Sequence, residues 1–133
     1  MKLYPYINPD LIYNSFSSEG IIVLEPESVN LLEMNKAGMF ICSKFDGSLT
    51  EDEVKEDVKK YCTENEIKYC DNTVRTFMDS LRESRFLLTT EEKKKRNRFE
   101  DWEGSFLLEE FNPCLQTISD MSEGFFSKVF IDI

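Results

Sequence analysis

The sequence predicts an α+β domain: a three-stranded antiparallel sheet followed by three helices, with a C-terminal extension of a helix and then a strand. Three observations carry that expectation. Runs rich in β-branched residues, separated by turn residues, crowd the first 35 positions. Apolar residues then recur at helical spacing behind helix start and stop signals. After a block of charge, a second apolar segment begins. With 133 residues the chain has the length of one domain and an appendage, enough to bury a core without a metal or a disulfide.

Residues 1–10 contain Pro5 and Pro9 and are expected as an irregular lead-in. Leu11–Phe16 reads as a short first strand, and Ser17–Gly20 as a turn in which Gly20 supplies backbone freedom. The run from Gly20 is β-branched and should form a second strand that stops at Pro26. Glu27 and Ser28 turn the chain, and Val29–Asn35 follows as the third strand. Strands this close in sequence pair as an antiparallel meander.

The pattern changes at Asn35. Ala37, Met39 or Phe40, Ile41 and Phe45 recur at helical spacing, and Asp46-Gly47 should stop that helix, with Gly47 as a left-handed C-cap. Thr50 and Glu53 form a capping box, a hydroxyl for the N3 amide and a carboxylate reaching back. The helix it opens should bury Val54, Val58 and Tyr61. Asp71 or Asn72 should cap a third helix with Val74, Phe77, Met78 and Leu81 inward, before Arg85–Leu88 returns to an extended run.

The domain so defined covers residues 1–90. Residues 91–98 are a charge run expected as a solvated hinge. In the extension, 99–133, Phe99, Trp102, Phe106 and Leu107 or Glu110 fit a short amphipathic helix that Pro113 ends. The last nine residues, FFSKVFIDI, alternate as a strand.

Composition narrows the function. Hydrophobic residues make up 41% and charged residues 32%, a soluble globular balance. No apolar run approaches the roughly 18–20 residues that span a bilayer. The first residues lack the apolar core and cleavage site of a signal peptide, so a cytoplasmic location without a membrane partner is expected. The formal charge of −10, from 26 acidic and 16 basic residues, has the wrong sign for neutralising phosphates, and nucleic acid is not expected as a partner. Cys42, Cys62, Cys70 and Cys114 form no CxxC pair and the chain has no histidine, so neither metal nor cofactor is expected. The acidic groups Glu51-Asp52-Glu53 and Glu109-Glu110 read as helix starts and solvated faces rather than as a converging acid–base pair. With no nucleophile–base pair and no Gly-rich phosphate loop, the chain is expected not to be an enzyme.

The order of these pieces resembles a known family. Ile22-Val23-Leu24-x-Pro26-Glu27 is followed by Leu32-x-Met34-Asn35-x-x-Gly38. Then come Phe45-Asp46-Gly47-x-x-Thr50-x-x-Glu53-Val54 and a closing Val74-x-x-Phe77-x-x-x-Leu81 with Phe86-Leu87-Leu88. Across Gly20–Leu88, about half the chain, this resembles the PqqD-like family of RiPP recognition elements. Two departures stand out: Ser84-Arg85, where family members often have a small residue or glycine, and everything beyond Thr89. The resemblance implies a winged helix-turn-helix that captures the leader of a ribosomally made precursor peptide. The leader adds as a strand on the third strand, beside the third helix, and is presented to a separate modifying enzyme, often a radical SAM enzyme.

Strand addition needs an exposed edge of unpaired N–H and C=O groups with pockets beside it. The residues expected to supply it are Val29, Asn30, Leu31, Leu32 and Glu33 on the third strand. On the third helix they are Met78, lining an apolar pocket, and Arg75, Asp79 and Arg82 flanking it. Leu32 and Met34 share the core face of the strand. For the arginines a solvated face, with an Arg75–Asp79 pair, weighs equally with a guanidinium fork for acidic leader residues. Two other functions compete: a winged-helix DNA-binding regulator, and a self-associating adaptor whose tail fills the edge. The crowded apolar tail has three possible places: its own domain, the modifying enzyme, or the edge of the third strand, in the same chain or exchanged in a homodimer.

Overall fold

The computed structural model describes residues 2–13, 20–96 and 112–117. The expected helix around Trp102 and the strand at 125–133 lie outside these residues. The described chain is α+β, in the order β1 (Tyr4–Ile7), β2 (Ile12–Tyr13), β3 (Gly20–Glu25), β4 (Asn30–Asn35), α1 (Lys36–Cys42), α2 (Glu51–Glu64), α3 (Asp71–Glu83), β5 (Leu87–Thr90) and β6 (Leu115–Thr117). Two antiparallel sheets form, one of β1 and β5, the other in the order β2-β3-β4-β6.

β3 and β4 pair in full register, with Ile21 opposite Met34 and Val23 opposite Leu32, so these four share the core face. They pack with Ile41 of α1, Val54 and Val58 of α2, and Val74, Phe77, Met78 and Leu81 of α3. Complete burial of such side chains contributes about 1.5–3 kcal/mol each. The hairpin between the strands is locked by a buried carboxylate. Glu25 accepts the N–H groups of Glu27 (3.1 Å) and Ser28 (2.8 Å) and the Ser28 hydroxyl, while Arg85 lies 3.7 Å away. Burial opposes the charge, but the Ser28 hydroxyl and N–H, the Glu27 N–H and Arg85 outweigh it and hold the carboxyl below its ordinary value.

Four sequence expectations are corrected. The lead-in contains a strand, β1, despite Pro5. Asn8 N–H donates to Phe86 O (2.9 Å), which sets the hydrogen-bonded pairs of the ladder at even positions. Pro5, opposite Thr89, therefore sits where no N–H is required of it. Its outward carbonyl accepts from Gly47 N–H (3.1 Å). Second, α1 ends at Cys42 with Ser43 as its cap, so Gly47 is not that cap. Gly47 has φ +86° and a Cβ there would lie 2.5 Å from Lys94 O, so glycine serves a tight turn crossed by another chain segment.

Third, α3 starts behind Cys70, with no side-chain cap bond, not behind Asp71 or Asn72. Fourth, the described part of the charge run, 91–96, is exposed through Lys95, yet its backbone is bonded to the domain. Lys94 N–H donates to Gly47 O (3.2 Å) and Arg96 N–H to Asp46 O (2.5 Å), with the Arg96 guanidinium 4.8 Å from the centre of the Tyr6 ring.

The expected three-stranded sheet carries a fourth strand, β6, and of the strand expected over 11–16 and the turn over 17–20, residues 14–19 lie outside the described residues. Other local signals fold largely as expected. The Thr50–Glu53 capping box is complete, although beside Val54 and Val58 the residue buried on α2 is Cys62, with Tyr61 half-buried. Asn35 caps α1 by accepting Gly38 N–H at 3.0 Å. α3 closes with Phe86 N–H on Leu81 O (2.9 Å), Arg85 N–H on Arg82 O (3.1 Å) and Arg85 at φ +63°. This is a Schellman ending with arginine at the position glycine favours. Arginine is kept there by its ion pairs, to Glu25 and to Glu27 at 2.7 Å.

Candidate functional site

The site builds outward from β4. Leu31, Leu32 and Met34 are buried and Glu33 is exposed. Val29 stands outside the strand at the hairpin tip, 63% exposed with φ +55°. It offers no ladder position, which removes it from the expected strand-binding set. One edge of β4 belongs to β3. The other carries β6, antiparallel, with Met34 opposite Leu115, Glu33 opposite Gln116 and Leu32 opposite Thr117.

One side chain fastens β6. Asn35 Nδ2 donates to Asn112 O (2.7 Å), and Oδ1 accepts Cys114 N–H (2.9 Å) as well as capping α1. The Asn35 backbone N–H donates to Cys114 O (3.2 Å). That bond makes Asn35 and Cys114 a hydrogen-bonded pair, so the alternation of an antiparallel ladder makes Glu33 and Gln116 the next one. Leu115 faces the core and is half-buried against it. Between β4, β6 and the C-terminal half of α3 lies a cavity of about 310 Å³, lined by Asn30, Leu32, Ser80, Glu83, Ser84, Leu115 and Gln116.

Of the expected residues, Asn30 and Leu32 line this groove and Glu33 supplies ladder positions, while Leu31 is fully buried on the strand. The helix residues do not meet there. Met78 has no exposure and belongs to the core, so it cannot be an open pocket wall. At 100° per residue, Arg75 and Arg82 lie about 80–160° round α3 from Ser80 and Glu83, while Asp79 falls one turn from Glu83 on the strip between them. Arg82 pairs with Glu51 at 2.6 Å and with Asp79 at 3.2 Å, tying α3 to the start of α2. Arg75 donates to Asn72 at 2.8 Å in place of the expected pair with Asp79.

The groove residues that periodicity missed are Asn35, Ser80, Glu83, Ser84, Leu115 and Gln116. Their signal was faint: an asparagine at a strand-to-helix junction, and small polar residues one flank away from the apolar stripe of α3. The charged side chain lining the cavity is Glu83; Glu33, between the inward Leu32 and Met34 of β4, faces the other side of the sheet. Such a wall suits neutral or basic guest residues better than acidic ones.

The cysteines stay apart. Cys42 and Cys62 are buried, Cys70 is exposed and Cys114 half-buried, all as free thiols. Burial raises the Cys42 and Cys62 thiols, whereas the Thr73 hydroxyl and N–H lower that of Cys70. Among the described residues, no helix is long and apolar enough to cross a membrane. Comparisons with family models, with curated proteins and with solved structures find no match for this chain.

Proposed function

We propose that this protein is a cytoplasmic, non-catalytic peptide-recognition module with a winged helix-turn-helix arrangement. It takes the leader of a ribosomally made precursor as an added strand on β4 and presents it to a separate modifying enzyme. The observation that supports this most is that the outer edge of β4 takes an antiparallel strand, in a groove walled by α3. Main-chain bonding supplies affinity in that mode, and the cavity beside the strand supplies selectivity. The resemblance of Gly20–Leu88 to RiPP recognition elements names the guest class. The groove narrows it: Glu83 favours neutral or basic side chains at that point, which replaces the acidic guest expected from Arg75 and Arg82.

The test is a titration of isotope-labelled protein with the leader region of a short precursor encoded beside this gene and a modifying enzyme. A Kd in the low micromolar range, about −8 kcal/mol, is expected. The chemical-shift changes should centre on Glu33, Asn35, Ser80 and Glu83. No shift at saturating leader would remove the proposal.

A further inference from the structure

We propose that residues 112–117 are a placeholder strand, which must leave the edge of β4 before a guest peptide can take it, and that Asn35 is the latch for either occupant. This rests on the peptide-recognition reading and adds its regulation.

Three features carry it. The first is what the latch reads. Among the described residues, Asn35 bonds the tail at backbone atoms: Asn112 O, Cys114 N and Cys114 O. An extended guest of any sequence offers the same carbonyls and N–H groups, so the latch does not distinguish β6 from a replacement. The second is how little else among the described residues holds β6. It is three residues long, and Leu115 is its partly buried apolar contact with the core. The third is the space beside it. The cavity of about 310 Å³ that Leu115 and Gln116 share with Ser80 and Glu83 is left unfilled by those two side chains. A guest with a longer side chain at the Leu115 position, its polar or basic end meeting Ser80 and Glu83, occupies it, which gives an incoming strand an advantage over the resident one.

The exchange is tested in the full-length protein with a capped synthetic peptide of the sequence of residues 110–120. An open variant, Cys114→Pro with Gln116→Pro, removes the two N–H groups that β6 directs at β4 and leaves the core untouched. A locked variant carries Glu33→Cys with Gln116→Cys in a Cys114→Ser background. The pair lies at a hydrogen-bonded position, where Cα atoms about 5.5 Å apart suit a disulfide. A tethered segment competes at an effective concentration near millimolar. The peptide is therefore expected to bind the open variant at least about tenfold more tightly than the wild type, with shifts at Glu33 and Asn35. The oxidised locked variant should bind none until it is reduced.

Equal binding to wild type, open and oxidised forms would overturn the placeholder, because the guest then sits elsewhere, such as the outer side of β6. So would an open variant with a native core spectrum that binds no peptide at millimolar concentration. Should the open variant not fold, oxidation and reduction of the locked one decide alone. A candidate leader run on the same forms separates the two proposals. Leader binding to all forms equally defeats the placeholder and spares peptide recognition. Peptide 110–120 behaving as expected while no leader binds does the reverse.

Discussion

Two strands of this molecule are laid down by the chain returning from far along the sequence, β5 onto β1 and β6 onto β4, and they are held in different ways. β5 follows Phe86, carries Leu87 and faces Ile7, all three buried in the core. The buried Asn8 side chain closes the same junction by donating to Arg85 O at 2.8 Å. β6 has one half-buried leucine and a polar clamp at the sheet's edge. Apolar burial ties β5 to the fold, whereas, among the described residues, edge hydrogen bonds and one partly buried leucine hold β6. The lesson is that a ladder alone does not make a strand part of the fold; the area buried beneath it does.

The largest effect should fall on the β5 side. Phe86→Ala is expected to lower stability by about 3–5 kcal/mol, because a fully enclosed ring leaves a cavity. Leu115→Ala, its counterpart on β6, should cost less, about 1 kcal/mol, since that side chain is already partly open to water. Urea midpoints of the two variants measure the contrast directly, and equal losses would abolish it.

Asn35→Ala should fall between them. The lost N-cap of α1 costs about 1–2 kcal/mol, and the same substitution removes the side-chain clamp on β6. Alkylation of Cys114 should therefore speed up while buried Cys42 stays protected. Unchanged Cys114 labelling would mean that the ladder, not the amide, holds the strand.

The smallest effect concerns pH. The folded-state pKa of Glu25 is depressed, so its contribution is present above the unfolded value and is lost as pH falls through the folded one, below about 4.5. Denaturation midpoints read from pH 7 downward should show this extra loss in the wild type and not in Glu25→Gln. A parallel fall in both would remove Glu25 as the cause.

Much of the fold was legible because local signals agreed with tertiary burial. The β-branched run Ile21–Val23, the Thr50 box and the Val74–Leu81 stripe each form what they predict. The misreadings share a physical origin in contacts remote in sequence. Pro5 discouraged a strand whose partner, Thr89, lies far downstream, although an edge position tolerates proline. Leu115-Gln116-Thr117 has no run of apolar alternation, and β4 with Asn35 makes it a strand. For the candidate site, the sequence pointed to β4 and α3, but the cavity beside them is lined by Ser80, Glu83 and Ser84 and not by Arg75, Met78, Asp79 or Arg82. Small polar residues carry no periodic signal. The buried Val74–Leu81 stripe sets how α3 faces the sheet, and the Arg82–Glu51 pair is a long-range contact that no spacing encodes.

Native-state amide exchange under increasing mild denaturant tests the central claim most directly. The amides to compare are Leu88, bonded in the β1–β5 ladder, and Gln116, bonded to β4. Leu88 is expected to exchange only through global unfolding, with the full denaturant dependence. Gln116 should open at a much lower free energy and almost independently of denaturant, as a local release of β6. If both amides share one opening free energy and one denaturant dependence, β6 is an integral strand of the fold and not an occupant of its edge.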